Sequence, residues 1–168
     1  MTGSLDGAAR RGDGAAMAKS EQSPRALALE QARTAGRRGE VPVGAVVVQG
    51  ASGETLAAAG NRCEADNDPS AHAEMLALRA AAAKLGVSRL TDCDLYVTLE
   101  PCPMCATAAS FFRIRRLYFA AADPKGGGVE HGPRIFNQPS CHHKPEVYGG
   151  IRESEAAELL KAFFRDKR

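Results

Sequence analysis

The sequence predicts a three-layer α/β/α sandwich, in which helices cover both faces of a sheet. Segments with the spacing of amphipathic helices alternate along the chain with short apolar runs, and that alternation is typical of this fold class. A chain of 168 residues has the length of one domain. Its hydrophobic residues (44%) and charged residues (25%) have the balance of a globular protein.

Charge and cysteine content narrow the classes of function. The net charge of +2 gives no protein-wide field that would attract nucleic acid, so any such contact has to come from local patches. No stretch approaches the roughly 20 consecutive apolar residues that a membrane span requires. The cysteine count is odd and no secretion signal precedes the domain, which predicts reduced thiols or metal ligands in a cytoplasmic protein.

Residues 1–23 are predicted to be a disordered tail, and residues 24–168 to be the folded domain. Gly, Ala and Ser dominate the tail without any apolar period, so it cannot bury enough surface to offset its ordering entropy. Met17 is hypothesised to be an alternative start, because the residues after it lead directly into the first helix.

The first half of the domain predicts a helix followed by a hairpin. Ser23 as N-cap and Pro24 as first residue open the helix, and Gly36 and Gly39 end it. Residues 41–49 are predicted to be a buried strand, 51–53 a turn and 55–60 the partner strand. The predicted buried face of the helix comprises Ala28, Leu29, Ala32 and Ala35.

The alternation continues with helices over residues 71–85 and 102–112 and strands over 94–99 and 116–121. A loop rich in Gly and Pro follows over 123–145, and a helix over 154–165 closes the chain. The predicted buried residues are Met75, Leu78, Ala82 and Leu85 in the helix over 71–85, and Ala156, Leu159, Leu160 and Phe163 in the last helix.

Two short segments, each opening a helix, carry groups that bind metal ions. His72 lies in one segment, and Cys102 and Cys105 lie in the other, with both sulfurs on one face of the first turn. The positive end of a helix favours thiolate over thiol. Zinc readily takes two thiolates and one imidazole, so the sequence predicts a zinc site.

Three protein ligands are typical of a catalytic zinc site with a position for water, whereas structural sites have four. Glu74 lies two residues after His72 and can reach that position only if the metal lies beyond the helix end. There it could move protons without binding the metal. The Cys-x-x-Cys pair alone also fits a redox pair or a structural zinc site.

Together these segments form the His-x-Glu…Pro-Cys-x-x-Cys pattern of zinc-dependent base deaminases. From about Pro24 onward, the chain resembles the bacterial tRNA-specific adenosine deaminases, which convert the wobble adenosine of an arginine tRNA to inosine. The zinc pattern is shared with cytidine and guanine deaminases, so the substrate depends on the surrounding segments. The resemblance is carried by residues 40–45 (EVPVGA), 60–62 (GNR), 68–74 (DPSAHAE), 95–105 (LYVTLEPCPMC) and 113–116 (RIRR).

This resemblance implies a cytidine deaminase-like fold with a central mixed five-stranded sheet, one zinc ion per subunit and a homodimer. It implies hydrolytic deamination of a tRNA anticodon stem-loop with release of ammonia. In that reaction His72, Cys102 and Cys105 would bind zinc, and Glu74 would be the catalytic acid and base. Asn61 matches a residue that binds the target nucleoside, although Gly-Asn is also ordinary turn chemistry.

Four further residues match segments of the family that contact RNA. Asp123 and Lys125 lie in the loop after the fourth strand, and Phe164 and Arg165 lie at the end of the last helix. Without the resemblance, the first two are solvated loop charges and the other two belong to an amphipathic helix end. The arginines at 113, 115 and 116 could attract RNA or form a solvated turn.

Alternatives to the tRNA substrate remain at this point. Pro103 and Met104 also occur between the cysteines of guanine deaminase-like proteins, which leaves open a small-molecule deaminase acting on guanine, cytosine or a free nucleoside. A non-catalytic zinc module would leave Glu74 without a role. A second metal site at residues 141–143 (CHH) is a weaker hypothesis, because no partner ligands stand out.

Overall fold

Five strands form one mixed sheet in the computed structural model, which describes residues 23–168. Strand β1 is antiparallel to both of its neighbours, whereas β3, β4 and β5 are mutually parallel. Every strand except β1 therefore runs in the same direction, and the carboxyl ends of these four strands meet at one edge. The strands are β1 Gly44–Gln49, β2 Thr55–Gly60, β3 Cys93–Leu99, β4 Arg116–Ala121 and β5 Glu146–Gly149, in the spatial order β2-β1-β3-β4-β5.

Helices cover both faces of this sheet, which confirms the predicted three-layer sandwich and the mixed five-stranded sheet. Helices α1 (Pro24–Arg37) and α4 (Glu153–Asp166) pack on one face. Helices α2 (Ala73–Leu85) and α3 (Pro103–Phe111) pack on the other, over the main core. Within residues 23–168, no helix has both the length and the apolar character needed to cross a membrane.

Helix α1 begins where the sequence predicts. The Ser23 hydroxyl accepts the N–H of Ala26 at 3.1 Å, which satisfies one of the unpaired donors of the first turn. All four residues of its predicted face are buried. The helix lies so close to the sheet that a Cβ atom at Gly44 would overlap the backbone of Ala28 and Ala32.

The predicted faces of two helices are partly wrong. In α2, Met75 and Ala82 are only half-buried and Leu85 is exposed, while Leu78 is buried together with Ala73, Glu74, Ala77 and Ala81. The small alanines let this helix approach the sheet, so the contact stripe is rotated away from the larger residues. In α4 only Ala156 is buried, because the helix packs at the margin of the sheet on β4 and α1 and leaves Leu159, Leu160 and Phe163 half-buried.

Strand β5 was not located by the residue pattern, which predicts no element between the loop over 123–145 and the helix over 154–165. It is a short and largely exposed edge strand. Pairing with β4 places Tyr148 beside Tyr118, and the two rings stack at 5.1 Å between centroids. The predicted loop also contains a 3₁₀ turn at Ile135–Asn137. Of the predicted tail over residues 1–23, residues 1–22 and the alternative start at Met17 lie outside the described residues, and Ser23 is the N-cap of α1.

Candidate metal centre and active site

Three predicted metal ligands converge at the edge of the sheet where the parallel strands end. His72 Nδ1, Cys102 Sγ and Cys105 Sγ all lie within 4.8 Å of one another. The imidazole nitrogen is 3.6 Å from the Cys102 sulfur and 3.5 Å from the Cys105 sulfur. The prediction that two separate segments build one site is confirmed.

Helix ends position these ligands. His72 is the N-cap of α2, and Cys102 is the N-cap of α3, both with extended backbone. The positive ends of both helices therefore face the same site, which stabilises thiolates. Glu74 is the second residue of α2 and lies beside the ligands because the site is beyond the helix end, as its spacing required.

The pKa values of the two cysteines are shifted in opposite directions. A hydrogen bond from the Cys105 thiol lowers the pKa of Cys102 to about 4. Donating that hydrogen bond, together with burial, raises the pKa of Cys105 well above its ordinary value. The hydrogen bond with Cys102 also raises the pKa of His72. One imidazole and two thiol groups are a soft nitrogen and sulfur donor set, which fits zinc.

The Glu74 carboxyl group is suited to proton transfer at this site. It is buried, with 4% of its surface exposed, and burial raises its pKa to about 7. Its Oε2 atom has no hydrogen-bond partner among residues 23–168. A buried carboxylate oxygen without a partner is costly, so this atom is suited to a proton that solvent or substrate brings to the site.

Asn61 lies at the same edge, directly after β2. It is 8% exposed, and its Oδ1 accepts the N–H of Ala73, the first residue of α2, at 2.8 Å. The side chain therefore anchors the helix that carries His72 and Glu74. Because the carbonyl oxygen is engaged in this bond, the amide NH₂ is the group through which Asn61 can contact a substrate.

The predicted RNA contacts fall at two places. Asp123 lies in the loop after the carboxyl end of β4, where its Oδ1 accepts the N–H groups of Lys125 (3.2 Å) and Gly126 (2.9 Å). Lys125 is exposed. Phe164 and Arg165 lie on the last turn of α4, on the helix layer opposite α2 and α3, and Phe164 is 50% exposed. Asp123 and Lys125 thus follow a strand whose carboxyl end lies at the same sheet edge as the metal ligands, whereas Phe164 and Arg165 lie on the other helix layer.

The arginines at 113, 115 and 116, around the start of β4, lie at the opposite edge of the sheet. Arg115 makes a bidentate ion pair with Asp94, at 2.9 and 2.7 Å, and Arg116 pairs with Glu146 at 3.1 Å. Arg113 donates to the carbonyl of Ser110. These partners favour a structural role over an RNA-attracting patch beside the site.

The segment 141–143 does not form a second metal site. Within the described part of the chain, the three ligands above are the one group of three or more His, Cys, Asp or Glu residues close enough to share an ion. Instead, His143 pairs through Nε2 with the carbonyl of Ile114 at 2.6 Å, and the carbonyl of His143 accepts the Ser110 hydroxyl at 2.7 Å. These bonds fasten the long loop to the end of α3.

Two buried acids near the site were missed from the sequence. Glu40 accepts the N–H groups of Glu64 and Ala65, which lie in the loop between β2 and α2. Glu100 accepts hydrogen bonds from the loop after β4, including one from His131, a histidine to which the sequence assigned no role. Burial alone would raise the pKa of Glu100, but these donors outweigh it and hold the pKa below 4.5. The sequence signal that could have identified Glu100 is a single acidic residue between an apolar strand and the Pro-Cys pair.

Comparison with known proteins adds the family context. The cytidine and deoxycytidylate deaminase zinc-binding region matches residues 18–121. A tRNA-specific adenosine deaminase of Agrobacterium fabrum is 59% identical over 142 residues, covering 84% of this chain and 92% of the relative. A tRNA-specific adenosine deaminase of Bacillus subtilis is 43% identical, covering 84% of this chain and 86% of the relative.

Two solved structures are similar to this chain in fold and in sequence. One, from a study of A-to-I editing by tRNA:A34 deaminases at the wobble position of transfer RNA, is 59% identical with a TM-score of 0.78, covering 80% of this chain and 96% of the other. The guanine deaminase of Nitrosomonas europaea is 25% identical with a TM-score of 0.72, covering 96% of this chain and 98% of the other.

Proposed function

This chain belongs to the tRNA-specific adenosine deaminases, a zinc-dependent deaminase family, and we propose that its substrate is an arginine tRNA. The enzyme converts the wobble adenosine of that tRNA to inosine and releases ammonia. One observation carries the chemistry: a buried and unpartnered Glu74 carboxylate oxygen lies beside three convergent zinc ligands. The activity named for the relatives supports the RNA substrate.

The residues of the site fit the roles that the reaction needs. His72, Cys102 and Cys105 would hold the ion, which when bound supplies a Lewis acid that polarises water. Glu74 would take one proton from the attacking water and deliver it to N1 of adenine, where it remains in inosine. As the C6–O bond replaces the C6–N bond, Glu74 would pass the second proton from the new hydroxyl to the departing amine.

Substrate positioning falls to the edge around this centre. The Asn61 amide is available to donate to the nucleoside, and Asp123 and Lys125, in the loop after β4, would contact the anticodon loop. Phe164 and Arg165 would meet RNA farther away, through stacking and phosphate contact. An anticodon loop suits such a pocket because its bases are already unpaired.

We also propose that the domain over residues 24–168 acts as a homodimer in the cytoplasm. Apolar side chains on α3 support the dimer: Phe111 is 67% exposed and Met104 is 37% exposed. A second copy of the chain would cover such a patch. Light scattering should give twice the mass of 17.7 kDa, and a mass of one chain at micromolar concentration would contradict the dimer.

A small-molecule deaminase is the alternative. The likeness to the Nitrosomonas europaea guanine deaminase favours it, since the fold and coverage are close. The two functions differ in whether the attacked base is part of RNA.

The test measures inosine and ammonia together. An arginine-tRNA anticodon stem-loop with adenosine at the wobble position should yield equal amounts of both. Glu74→Gln should keep zinc and lose at least about 100-fold in rate, as expected for a general acid and base. The control is Glu54→Gln, at a carboxyl group with 57% side-chain exposure. Ammonia from guanine, without inosine from RNA, would support the alternative.

A further inference from the structure

A single buried carboxylate ties the loop after β4 to the strand that leads to the metal centre. Glu100 directly follows β3, and its side chain is fully buried. Its Oε1 accepts the N–H groups of Val129 (3.2 Å), Glu130 (2.8 Å) and His131 (3.0 Å). Its Oε2 accepts the N–H of Asp123 (2.9 Å) and pairs with His131 Nδ1 (2.8 Å). Five donors thus converge on one side chain.

The same loop touches the turn that carries a metal ligand. The N–H of Gly128 donates to the carbonyl of Pro101 at 2.8 Å. A Cβ atom at Gly128 would lie 2.6 Å from the nitrogen of Pro103 and 2.9 Å from the carbonyl carbon of Cys102. Only glycine fits this contact, so the position of the loop and the position of the Cys102 turn are mechanically coupled.

The histidine ring is the one side-chain donor among the five. Since the carboxylate can only accept, Nδ1 of His131 carries the hydrogen in this pair. The ring is 36% exposed, unlike the fully buried acid. Its removal would therefore loosen the loop and leave the three N–H bonds to Oε1 and the core of the domain in place.

We propose that Glu100 and His131 are positioning residues for the substrate, which clasp the loop over residues 123–131 against the Cys102 turn. The proposal rests on the proposed function, because this loop contains Asp123 and Lys125, through which the RNA would be held. A clasped loop needs no further ordering when RNA binds, so the clasp lowers the KM for the stem-loop and leaves the proton transfers at Glu74 unchanged.

Two substitutions at the histidine separate the hydrogen bond from the volume of the ring. His131→Leu removes the donor, whereas His131→Asn retains an N–H near the position of Nδ1. His142→Leu is the matched control, since His142 is exposed in the same long loop and no side-chain hydrogen bond is found for it within residues 23–168. Glu100→Gln is a stronger variant, because its NH₂ group would face other donors.

The measurements are steady-state kinetics on the stem-loop, zinc content, and amide hydrogen exchange of peptides over 123–131. His131→Leu should raise KM about tenfold with kcat within about threefold and one zinc per chain, because one hydrogen bond to a charged group is worth roughly that factor. The hydrogen-exchange rate of the loop amides should also rise about tenfold, for the same reason. His131→Asn should restore most of both values, and His142→Leu should match the parent.

Unchanged KM in His131→Leu, or unchanged exchange, would overturn the proposal, as would an equal loss in His131→Asn. If Glu100→Gln fails to fold, the comparison of His131→Leu with His131→Asn still tests the proposal. A parent protein that is inactive on the stem-loop would refute the proposed function instead. In that case faster loop exchange in His131→Leu would still support the clasp itself and remove only its link to RNA.

Discussion

The buried carboxyl group of Glu74 should make the stability of the metal-free protein depend on pH. Its pKa rises from 4.5 to about 7 in the folded chain because burial disfavours the charged form. That rise is worth about 3 kcal/mol, at about 1.4 kcal/mol for each pKa unit. Glu74→Gln keeps the size of the side chain and removes the charge, so it should remove this cost.

The direction follows from which state binds the proton. Below pH 4.5 the carboxyl group is protonated in both states, and the folded chain bears no cost. Between that pH and about 7, the unfolded chain releases the proton while the folded chain retains it, so the free energy of unfolding decreases as pH rises. Above pH 7 the full cost is present.

Urea denaturation of the chelator-treated proteins measures this cost. Glu74→Gln and the parent should have equal free energies of unfolding at pH 4, and the variant should be about 3 kcal/mol more stable at pH 8. Glu54→Gln, at an exposed carboxyl group, should follow the parent at both pH values. A difference at pH 8 below about 1 kcal/mol, or the same difference at both pH values, would refute the argument from burial.

Three further predictions test the ligands, the core and a helix cap. The parent should bind one zinc ion per chain, and Cys105→Ser should lose it, because a hydroxyl replaces a thiolate. Elemental analysis of the purified variant measures the zinc content. Full occupancy in the variant would contradict ligation by Cys105. Leu95→Ala should lower the free energy of unfolding by about 3 kcal/mol, because this fully buried side chain lies in the main core; a loss below about 1 kcal/mol would mean that the core closes around the gap. Ser23→Ala should cost about 1 kcal/mol by urea denaturation, through loss of the bond to Ala26, and an unchanged midpoint would show that the cap is dispensable.

Local patterns predicted the features that depend on near neighbours in the chain. The Ser23 cap, the hairpin strand Thr55–Gly60 and the metal ligands all follow from spacing within a few residues and from the ends of helices. The metal centre was predictable from two segments because each helix start places its ligands at the same edge of a sheet with parallel strands.

Features that depend on distant parts of the chain were not predictable in this way. The role of Glu100 depends on donors about thirty residues farther along the chain. Strand β5 has too few residues and too little burial to show a pattern, and it is a strand only because β4 lies beside it. The rotation of α2 toward its alanines reflects how closely the helix approaches the sheet, which periodicity does not reveal.

Mapping inosine in a complete arginine tRNA shows whether the wobble adenosine is the substrate of this protein. The zinc-loaded protein would be incubated with the tRNA, and digestion fragments would be analysed by mass spectrometry, with free guanine and cytosine in parallel reactions. We expect inosine at the wobble position alone, with no inosine from Glu74→Gln. Deamination of a free base with an unmodified wobble adenosine would contradict the tRNA substrate, and full activity of Glu74→Gln would contradict the assigned chemistry.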